Sequence, residues 1–309
     1  MIAALPSIVS RLRLKQLRLL IALDEQGSVH RAAEQVFISQ PGATKSLHEI
    51  ENTFGAELFT RNSQGLVPND LGRCVIRYAR LIHSDVAHLR EEMVGILQGH
   101  GGRLSVGTIM GAVPMLMRAL GRLRRKQPEL SVEIVEDTSA RLLGLVDQGR
   151  LDLAICRSSV SQRPDAYDCL TLHPEQLTVV AHPDHPARAA TLELADLSIY
   201  RWVVYPANMP MRLLLEREFS QCGLEFPRYP VETASTFTML SLLQEGPELV
   251  AVMPLAVAEF SERFGMIRRL PLNLQSRSEP YGVIARHGST LSAAAQLLLE
   301  ELQTEQLSV

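Results

Sequence analysis

Polar residues in one short segment recur with the spacing of a single helix face. Residues 27–51 predict two short helices joined by a tight turn, with Ser28 and Ser39 placed to cap them. Leu47 and Ile50 face inward on the second helix. The polar positions on its opposite face are Gln40, Thr44, Lys45 and His48. Such side chains at the start of a helix are those that a recognition helix presents to the major groove.

Other residues of the segment are predicted to hold the two helices together. Ala32 and Ala33 are small enough to let another helix pack closely. Phe37 and Ile38 are expected to close the turn over an apolar seam. Pro41 lies near the first position of the second helix, where its missing N–H costs nothing. An ordinary helical hairpin is the alternative for this segment taken alone.

The run SQPGATKSLHEIE, residues 39–51, resembles the recognition helix of the LysR-type transcriptional regulators, whose pattern is close to SQPAxSRxIxxLE. Gly42 replaces the usual alanine, a change that costs about 1 kcal/mol of helix stability. Residues 58–72 resemble the family's wing, with Arg61 at the basic position and Gly65 in the turn. The resemblance covers essentially the whole chain and implies a set of DNA-contacting residues. They are Ser28, Arg31, Ser39, Gln40, Pro41, Thr44, Lys45, His48 and Arg61.

The charge of this N-terminal region does not suggest a general nucleic-acid coat protein. Seven Lys and Arg residues up to Asp70 are matched by seven Asp and Glu residues. A protein that coats nucleic acid is far more basic. We therefore expect sequence-specific binding of double-stranded operator DNA by a few placed residues, with two copies of the domain needed for useful affinity.

Length and composition predict a multidomain cytoplasmic protein. The chain has 309 residues, more than one core usually organises, and 46% of them are hydrophobic. No stretch approaches the roughly 18 consecutive apolar residues of a membrane span, and the first residues do not read as a secretion signal. The four cysteines form no CxxC pair, which favours reduced thiols over a zinc site. We expect no cofactor and no metal.

A long helix follows the wing and is predicted to join two subunits. Asn69 can cap it, and it runs to about Gln98, which makes it about 45 Å long. Its apolar residues alternate at intervals of four and three, the spacing of a coiled-coil seam. The residues assigned to this dimer contact are Val75, Ala79, Ile82, Val86, Leu89 and Met93. Packing of the helix within one subunit is the alternative.

Beyond the glycine cluster GHGGR at residues 99–103, strands and helices alternate, which indicates a parallel sheet with helices on its faces. The predicted strands are 104–108, 132–135, 153–155, 177–180, 202–204, 231–233, 250–253 and 281–285. The predicted helices include 113–126, 139–148 and 290–302, and the last strand and helix are expected to return into the first half. Two lobes with crossing connections leave a cleft, as in the periplasmic-binding-protein-like effector domain of the resembled family.

The cleft is expected to bind a small anion, because ligands in open α/β sheets lie beyond the carboxyl ends of strands, near helix starts that attract negative charge. We interpret the ligand as a carboxylate-bearing metabolite. The residues assigned to it, which the resemblance also places there, are Thr108, Ile109, Met110, Thr138, Ser139, Tyr205, Pro206, Ala207 and Ser235. Plain helix capping is an equal explanation for any one of the hydroxyls.

Other chemistry has weaker support in the sequence. The HPDHP run at residues 182–186 has two prolines and no third spaced ligand, so it predicts a surface loop rather than a metal site. There is no GxSxG, GxGxxG or Walker motif. Cys169 and Cys222 leave open a thiol-based redox sensor of the same family, although buried inert thiols are the simpler interpretation.

The sequence thus predicts an α/β protein with three parts: a winged helix-turn-helix at residues 1–70, a dimerisation helix and hinge at 71–102, and an effector-binding domain of two lobes at 103–309. The expected assembly is a homodimer or homotetramer. The resemblance also allows contact with RNA polymerase. A solute-binding protein and an enzyme built on the second half are the competing functions, and neither explains the helix-turn-helix.

Overall fold

The computed structural model describes residues 2–62, 65–98 and 102–306. The chain divides into two compact units. The first unit, here called the winged unit, comprises Met1–Arg103 with Gly144–Leu151, and the second, the two-sheet unit, comprises Leu104–Leu143 with Asp152–Val309.

Helices build most of the winged unit. Its elements are α1 (Leu5–Arg11), α2 (Leu14–Gln26), α3 (Val29–Gln35), α4 (Gln40–Phe54), β1 (Phe59–Asn62), β2 (Gly65–Pro68) and α5 (Asp70–Gln98). The antiparallel pair β1–β2 is the predicted wing. Gly65 begins β2 with φ of 115°, and a Cβ there would lie 2.6 Å from the Gly27 carbonyl oxygen, so only glycine fits.

The predicted helix pair is α3 and α4, and alanines let the two helices approach closely. Ala32, Ala33 and Ala43 are at most 1% exposed. The expectation that Phe37 and Ile38 cover an apolar seam is wrong, because their exposed fractions are 90% and 42%. The connecting backbone turns outward at this point, and the preceding Val36 packs against the core instead.

The long helix α5 begins as predicted, since the Gly72 N–H donates to Asn69 Oδ1 at 2.9 Å. Ala79, however, is fully buried in the core of the winged unit, so its assignment to a dimer seam is wrong, and Val75 is partly buried against the same core. The remaining seam residues with described side chains, Ile82, Val86, Leu89 and Met93, are exposed. Residues 99–101 of the predicted glycine hinge lie outside the described residues.

Two five-stranded sheets form the second unit. Its strands are β3 (Arg103–Thr108), β4 (Ser131–Glu136), β5 (Leu153–Cys156), β6 (Tyr167–Pro174), β7 (Leu177–Ala181), β8 (Arg201–Val204), β9 (Val231–Glu232), β10 (Leu249–Pro254), β11 (Arg268–Arg269) and β12 (Pro280–Arg286). Its helices are α6 (Val113–Lys126), α7 (Ser139–Asp147), α8 (Pro210–Gln221), α9 (Thr236–Glu245), α10 (Leu255–Arg263) and α11 (Ala293–Gln306). Each predicted strand agrees with an observed one to within one residue at either end.

Strand order corrects the expectation of a purely parallel sheet. The first sheet has the order β4-β3-β5-β12-β6 and the second β11-β7-β10-β8-β9. Strand β12 runs antiparallel to β5 and β6, and β10 runs antiparallel to β7, so both sheets are mixed. The predicted return of the C-terminal strand into the first half is confirmed by β12. Helix α11 returns with it, because Arg122 of α6 pairs with Glu301 and Glu305 at 2.7 and 2.6 Å.

The HPDHP run is only in part the surface loop that its composition predicts. His185 is fully buried, and its ring lies against the Tyr200 ring at a tilt of 58°, with 4.5 Å between the ring centroids. Its Nδ1 accepts the Ala187 N–H at 3.1 Å, while its Nε2 has no partner among the described residues. Burial lowers the pKa of His185, and the nearby Arg268 lowers it further.

Replacing His185 by Asn should flatten the acid side of the stability profile. The pKa of His185 is lower in the folded protein than in the unfolded chain. The free energy of unfolding therefore keeps its full value above about pH 6.5 and decreases as the pH falls from there through the folded pKa. Asn keeps an acceptor for the Ala187 N–H but does not titrate. Urea unfolding at pH 7 and pH 5, followed by fluorescence of the single Trp202, measures the change. His182→Asn is the matched control, because His182 Nδ1 accepts the Asp184 N–H in the same way from a more exposed site. If the free energy of unfolding falls by the same amount between pH 7 and pH 5 in His185→Asn and in the parent, this explanation is contradicted.

Candidate functional site

Helix α4 presents the predicted polar face to solvent. Gln40, Lys45 and His48 are exposed and Thr44 is half-buried, while Leu47 on the opposite face is 7% exposed. Ser39 caps the helix, since its hydroxyl accepts the Gly42 N–H at 3.3 Å. The structure therefore brings these predicted residues together on one accessible face of the helix.

Three other predicted residues have local roles at the edges of this surface. Ser28 stands at the N-cap of α3, but its side chain makes no capping hydrogen bond. The Arg31 guanidinium donates to the Gln26 carbonyl at 2.7 Å and so ties α3 to the end of α2. Pro41 is exposed in the first turn of α4. Of these three residues, Arg31 makes a side-chain hydrogen bond that supports the fold of the motif, and the contact of all three with DNA stays a prediction.

A basic groove beside α4 escaped the sequence analysis. A cavity of about 350 Å³ lies between the start of α2 and α4. Four cations line it together with one carboxylate, Glu49: they are Arg13, Lys15, Arg18 and Lys45. All four cations are exposed, and none forms an ion pair with a carboxylate among the described residues. The clustering of three cations in six residues was visible in the sequence. Their position next to Lys45 depends on the packing of α2 against α4, which the sequence pattern alone does not give.

The wing carries the remaining predicted cation. Arg61 lies on β1 opposite Leu66 of β2, and its side chain is exposed. Leu66 is buried and its N–H donates to the Gly27 carbonyl at 2.9 Å, so the wing is anchored to the end of α2. Arg61 therefore projects from a fixed hairpin.

The predicted hydroxyls at the strand ends of the two-sheet unit are already engaged in the folded chain. Thr108 is fully buried, and its hydroxyl donates to the Ile109 carbonyl at 3.0 Å. The Ser139 hydroxyl accepts the Arg157 N–H at 3.1 Å. These bonds help to hold the strand ends in place, but the Thr108 hydroxyl keeps its lone pairs and the Ser139 hydroxyl keeps its O–H, so neither bond excludes a ligand contact.

Met110 joins the two sheets at the predicted cleft. It follows β3 of the first sheet, yet it packs in the core of the second sheet with Tyr205. The Tyr205 hydroxyl donates to Met110 Sδ at 3.6 Å, and the Thr236 hydroxyl contacts the same sulfur. Burial raises the pKa of Tyr205, and the carboxylates of Glu175 and Glu136 raise it further. The hydroxyls of Tyr205 and Thr236 thus converge on one point, which a methionine side chain occupies.

A buried ion pair that the sequence did not predict lies where the chain crosses between the sheets. Arg157 and Glu175 are 7% and 6% exposed, and their nearest N–O distance is 2.6 Å. The same guanidinium donates to Ser278 Oγ at 3.3 Å and to the Glu279 carbonyl at 3.2 Å. Glu175 separates β6 from β7, and residues 278–279 lead into β12, so Arg157 binds both crossing segments.

The other predicted ligand residues are scattered in their environments. Thr138 is exposed, and both its N–H and its hydroxyl donate to Asp137 Oδ1. Ser235 caps α9 by accepting the Thr238 N–H at 3.2 Å. Pro206 is half-buried and Ala207 is exposed. The assignment of these residues, and of Ile109, to a ligand stays a prediction.

The cysteines give little support to a disulfide switch. Cys169 is exposed on β6, whereas Cys222 is exposed at the end of α8, which packs on the other sheet. Cys156 on β5 is nearer to Cys169, but β12 lies between their strands, and two strand spacings are about 9.6 Å. That spacing exceeds the Cα separation that a disulfide allows. Burial raises the pKa of Cys156 to about 12, which disfavours the reactive thiolate.

The described residues offer neither a metal site nor a membrane-spanning helix. Across residues 2–62, 65–98 and 102–306, no group of three or more His, Cys, Asp and Glu side chains is placed to hold a metal ion. No helix within those ranges has the length and apolar character needed to cross a membrane.

Comparison with known proteins connects both units to one family. Residues 14–73 match the family model of the bacterial regulatory helix-turn-helix protein, lysR family, and residues 97–306 match the LysR substrate binding domain. The HTH-type transcriptional regulator GbpR of Azospirillum brasilense is 33% identical over 297 residues, which cover 95% of this chain and 86% of that protein.

Solved structures share the fold. The LysR family transcriptional regulator CbnR aligns with a TM-score of 0.63 at 19% identity, covering 96% of this chain and 99% of CbnR. CbnR complexed with its target DNA aligns with the same TM-score at 20% identity, covering 95% of this chain and all of that one. The two family models together span the helix-turn-helix and the two-sheet unit, and the relative matches nearly end to end. The chain therefore belongs to the LysR family of DNA-binding transcriptional regulators, with an N-terminal helix-turn-helix and a two-lobed effector-binding region of mixed α/β structure.

Proposed function

We propose that the exposed face of α4 enters the major groove of an operator and that the basic groove and the wing hold the flanking phosphates. The observation that carries this proposal is the exposure of Gln40, Lys45 and His48 beside three cations at the start of α2. These cations, Arg13 at the N-cap with Lys15 and Arg18 in the helix, have no ion-pair partner among the described residues. Unpaired positive charge beside a polar helix face is suited to binding DNA phosphates. The equal numbers of cations and anions up to Asp70 disfavour binding of nucleic acid without regard to its sequence.

Salt dependence of operator binding tests the phosphate contacts. Lys15→Ala, Lys45→Ala and Arg61→Ala should each weaken binding, and a lost phosphate contact should reduce the slope of log K against log salt by roughly one unit. Gel shifts or anisotropy titrations between low and moderate salt measure that slope. Thermal unfolding should hardly change, because the three side chains are exposed.

Arg124→Ala is the matched control for this experiment. Arg124 is an exposed cation on α6 of the two-sheet unit, so its removal changes the net charge equally without touching the proposed surface. Its slope should equal that of the parent. Parent-like binding by all three test variants would show that the recognition helix and wing are wrongly assigned.

We propose that the exposed apolar stripe of α5 is the dimer contact, in a homodimer or a homotetramer. Ile82, Val86, Leu89 and Met93 recur at intervals of four and three along one side of a helix of 29 residues. Their exposed fractions lie between 37% and 57%. A repeated apolar stripe of this kind on a long helix is covered by a second helix in coiled coils.

Replacing Val86 by Asp should break this assembly. The variant places a carboxylate in the middle of the contact, where it would be desolvated without a partner. Sedimentation velocity should show monomers or aggregates for Val86→Asp and the parent's oligomer for Ala87→Asp, which adds the same charge to an exposed position off the stripe. A parent-sized oligomer in the Val86→Asp sample would mean that the helix packs elsewhere.

We propose further that a small molecule, a carboxylate in our interpretation, binds between the two sheets and displaces Met110. The hydroxyls of Tyr205 and Thr236 would then donate to the ligand instead of to sulfur, which is a weak acceptor. A ligand that prefers one arrangement of the sheets shifts the population toward it, and the same free energy, typically about 1–3 kcal/mol, is then transmitted to DNA binding. The negative charge of Glu136 acts on Tyr205 and opposes an anion here, so an anionic ligand must gain more from the two hydroxyls than it loses to this repulsion.

Tyr205→Phe isolates the ligand contact. The removed hydroxyl donates only to a sulfur within the described structure, so stability and effector-free operator binding should be retained. A panel of small mono- and dicarboxylates, scored by thermal shift and then by calorimetric titration, should yield a ligand that the variant binds roughly 5- to 100-fold more weakly. Equal affinity would remove Tyr205 from the site. If only neutral compounds bind, the proposal that the ligand carries a carboxylate is contradicted.

A further inference from the structure

Phe37 combines two features that lower the stability of the winged unit. Its side chain is 90% exposed, and its φ of 59° lies in the left-handed region. Tyr229 is the other non-glycine residue with positive φ in the described ranges. A bulky aromatic side chain is unfavourable in this conformation, and exposure of its ring to water recovers none of that cost.

The backbone around Phe37 leaves it no other conformation. Its N–H donates to the Glu34 carbonyl at 3.1 Å, and the Ile38 N–H donates to the Ala33 carbonyl at 3.0 Å. These two bonds form the Schellman motif that ends α3, and Phe37 occupies the position where glycine, or sometimes asparagine, is usual. The motif explains the left-handed turn but not the phenylalanine.

The position of Phe37 relative to α4 suggests what the ring contacts. Residues 37–41 are all exposed, and they run without interruption from the ring to Ser39 and Gln40 at the start of the recognition helix. Phe37 is therefore continuous with the surface that is proposed to contact DNA. Strained residues are concentrated at functional sites, where a contact offsets their cost.

We propose that Phe37 makes an apolar contact with the C5-methyl group of an operator thymine. This inference rests on the proposed entry of α4 into the major groove. The phenyl ring has no hydrogen-bonding group and so cannot distinguish donors from acceptors on the base edges. The thymine methyl is the apolar group that the major groove offers, and phenylalanine is one of the residues that contact it. Phe37 thus adds a preference for thymine beside the base pairs that the polar face of α4 contacts.

Phe37→Asn separates this contact from the fold. Asparagine tolerates the left-handed conformation, so the variant should unfold at a higher temperature than the parent. Its affinity for the operator, mapped by footprinting the parent on DNA upstream of its own gene, should fall roughly 3- to 10-fold. Tyr229→Asn is the matched control: Tyr229 is 95% exposed with φ of 54° but lies in the two-sheet unit, so that variant should gain stability and bind the operator like the parent.

Single thymine-to-deoxyuridine replacements, which remove only the methyl group, identify the contact. The parent should lose affinity at one position in each half-site, and Phe37→Asn should show no further loss there. The inference is overturned if Phe37→Asn binds as tightly as the parent, or if both proteins lose the same affinity at every deoxyuridine. If Lys45→Ala also binds normally, the recognition helix itself is misassigned. If Lys45→Ala binds the operator more weakly than the parent while Phe37→Asn binds it equally well, the Phe37 contact is contradicted and the assignment of the recognition helix stands.

Discussion

The close approach of α3 to α4 is the constraint on which the DNA-binding surface depends. Ala32 and Ala33 of α3 and Ala43 of α4 are at most 1% exposed in the core of the winged unit, and larger side chains at such buried positions strain the packing. The spacing fixes which side of α4 is buried and therefore which side is presented. The turn between the helices is equally constrained, and Phe37 stays in a left-handed conformation because the two hydrogen bonds that end α3 require it.

A different interaction organises the two-sheet unit. The buried pair of Arg157 and Glu175 contributes little net stability compared with apolar packing, but removal of one partner leaves an unpaired buried charge. A Cβ at Gly111 would overlap Glu175 Oε1, so the residue after Met110 packs directly on this pair. The pair that joins both crossing segments therefore also fixes the turn that places Met110 between the sheets. The proposed displacement of Met110 by a ligand would therefore act on that turn.

Local signals in the sequence predicted the elements well. The capping side chains of Asn69 and Ser39 marked the starts of α5 and α4, and alternating apolar runs gave strands that agree to within one residue. Strand direction was not predictable in this way, because a period of two is the same for parallel and antiparallel pairing, and β12 proved antiparallel. Ala79 was misassigned because burial in its own unit and burial in a dimer follow the same helical period.

The parts of the site that the sequence missed depend on contacts between distant residues. Arg157 forms an ion pair with Glu175, and the strands that these two residues follow are separated by β12 in the sheet. Lys15 and Lys45 line the same cavity because α2 packs on α4. Phe37 was placed inside because an apolar residue in a turn usually is buried, and its own type gives no sign of the left-handed backbone. The cleft hydroxyls were correctly placed at strand ends, but their partners, Ile109 and Arg157, became visible only in the fold.

Photo-crosslinking from α4 tests most directly the claim that its exposed face enters the groove. A benzophenone side chain placed at Lys45 or at Asn52, two turns apart on the same helix and both exposed, is irradiated in complex with a labelled operator fragment. The account predicts strong crosslinks to bases within the half-site from position 45 and few from position 52, near the C-terminal end of the helix. Equal crosslinking from both positions, or crosslinks from position 52 alone, would contradict it.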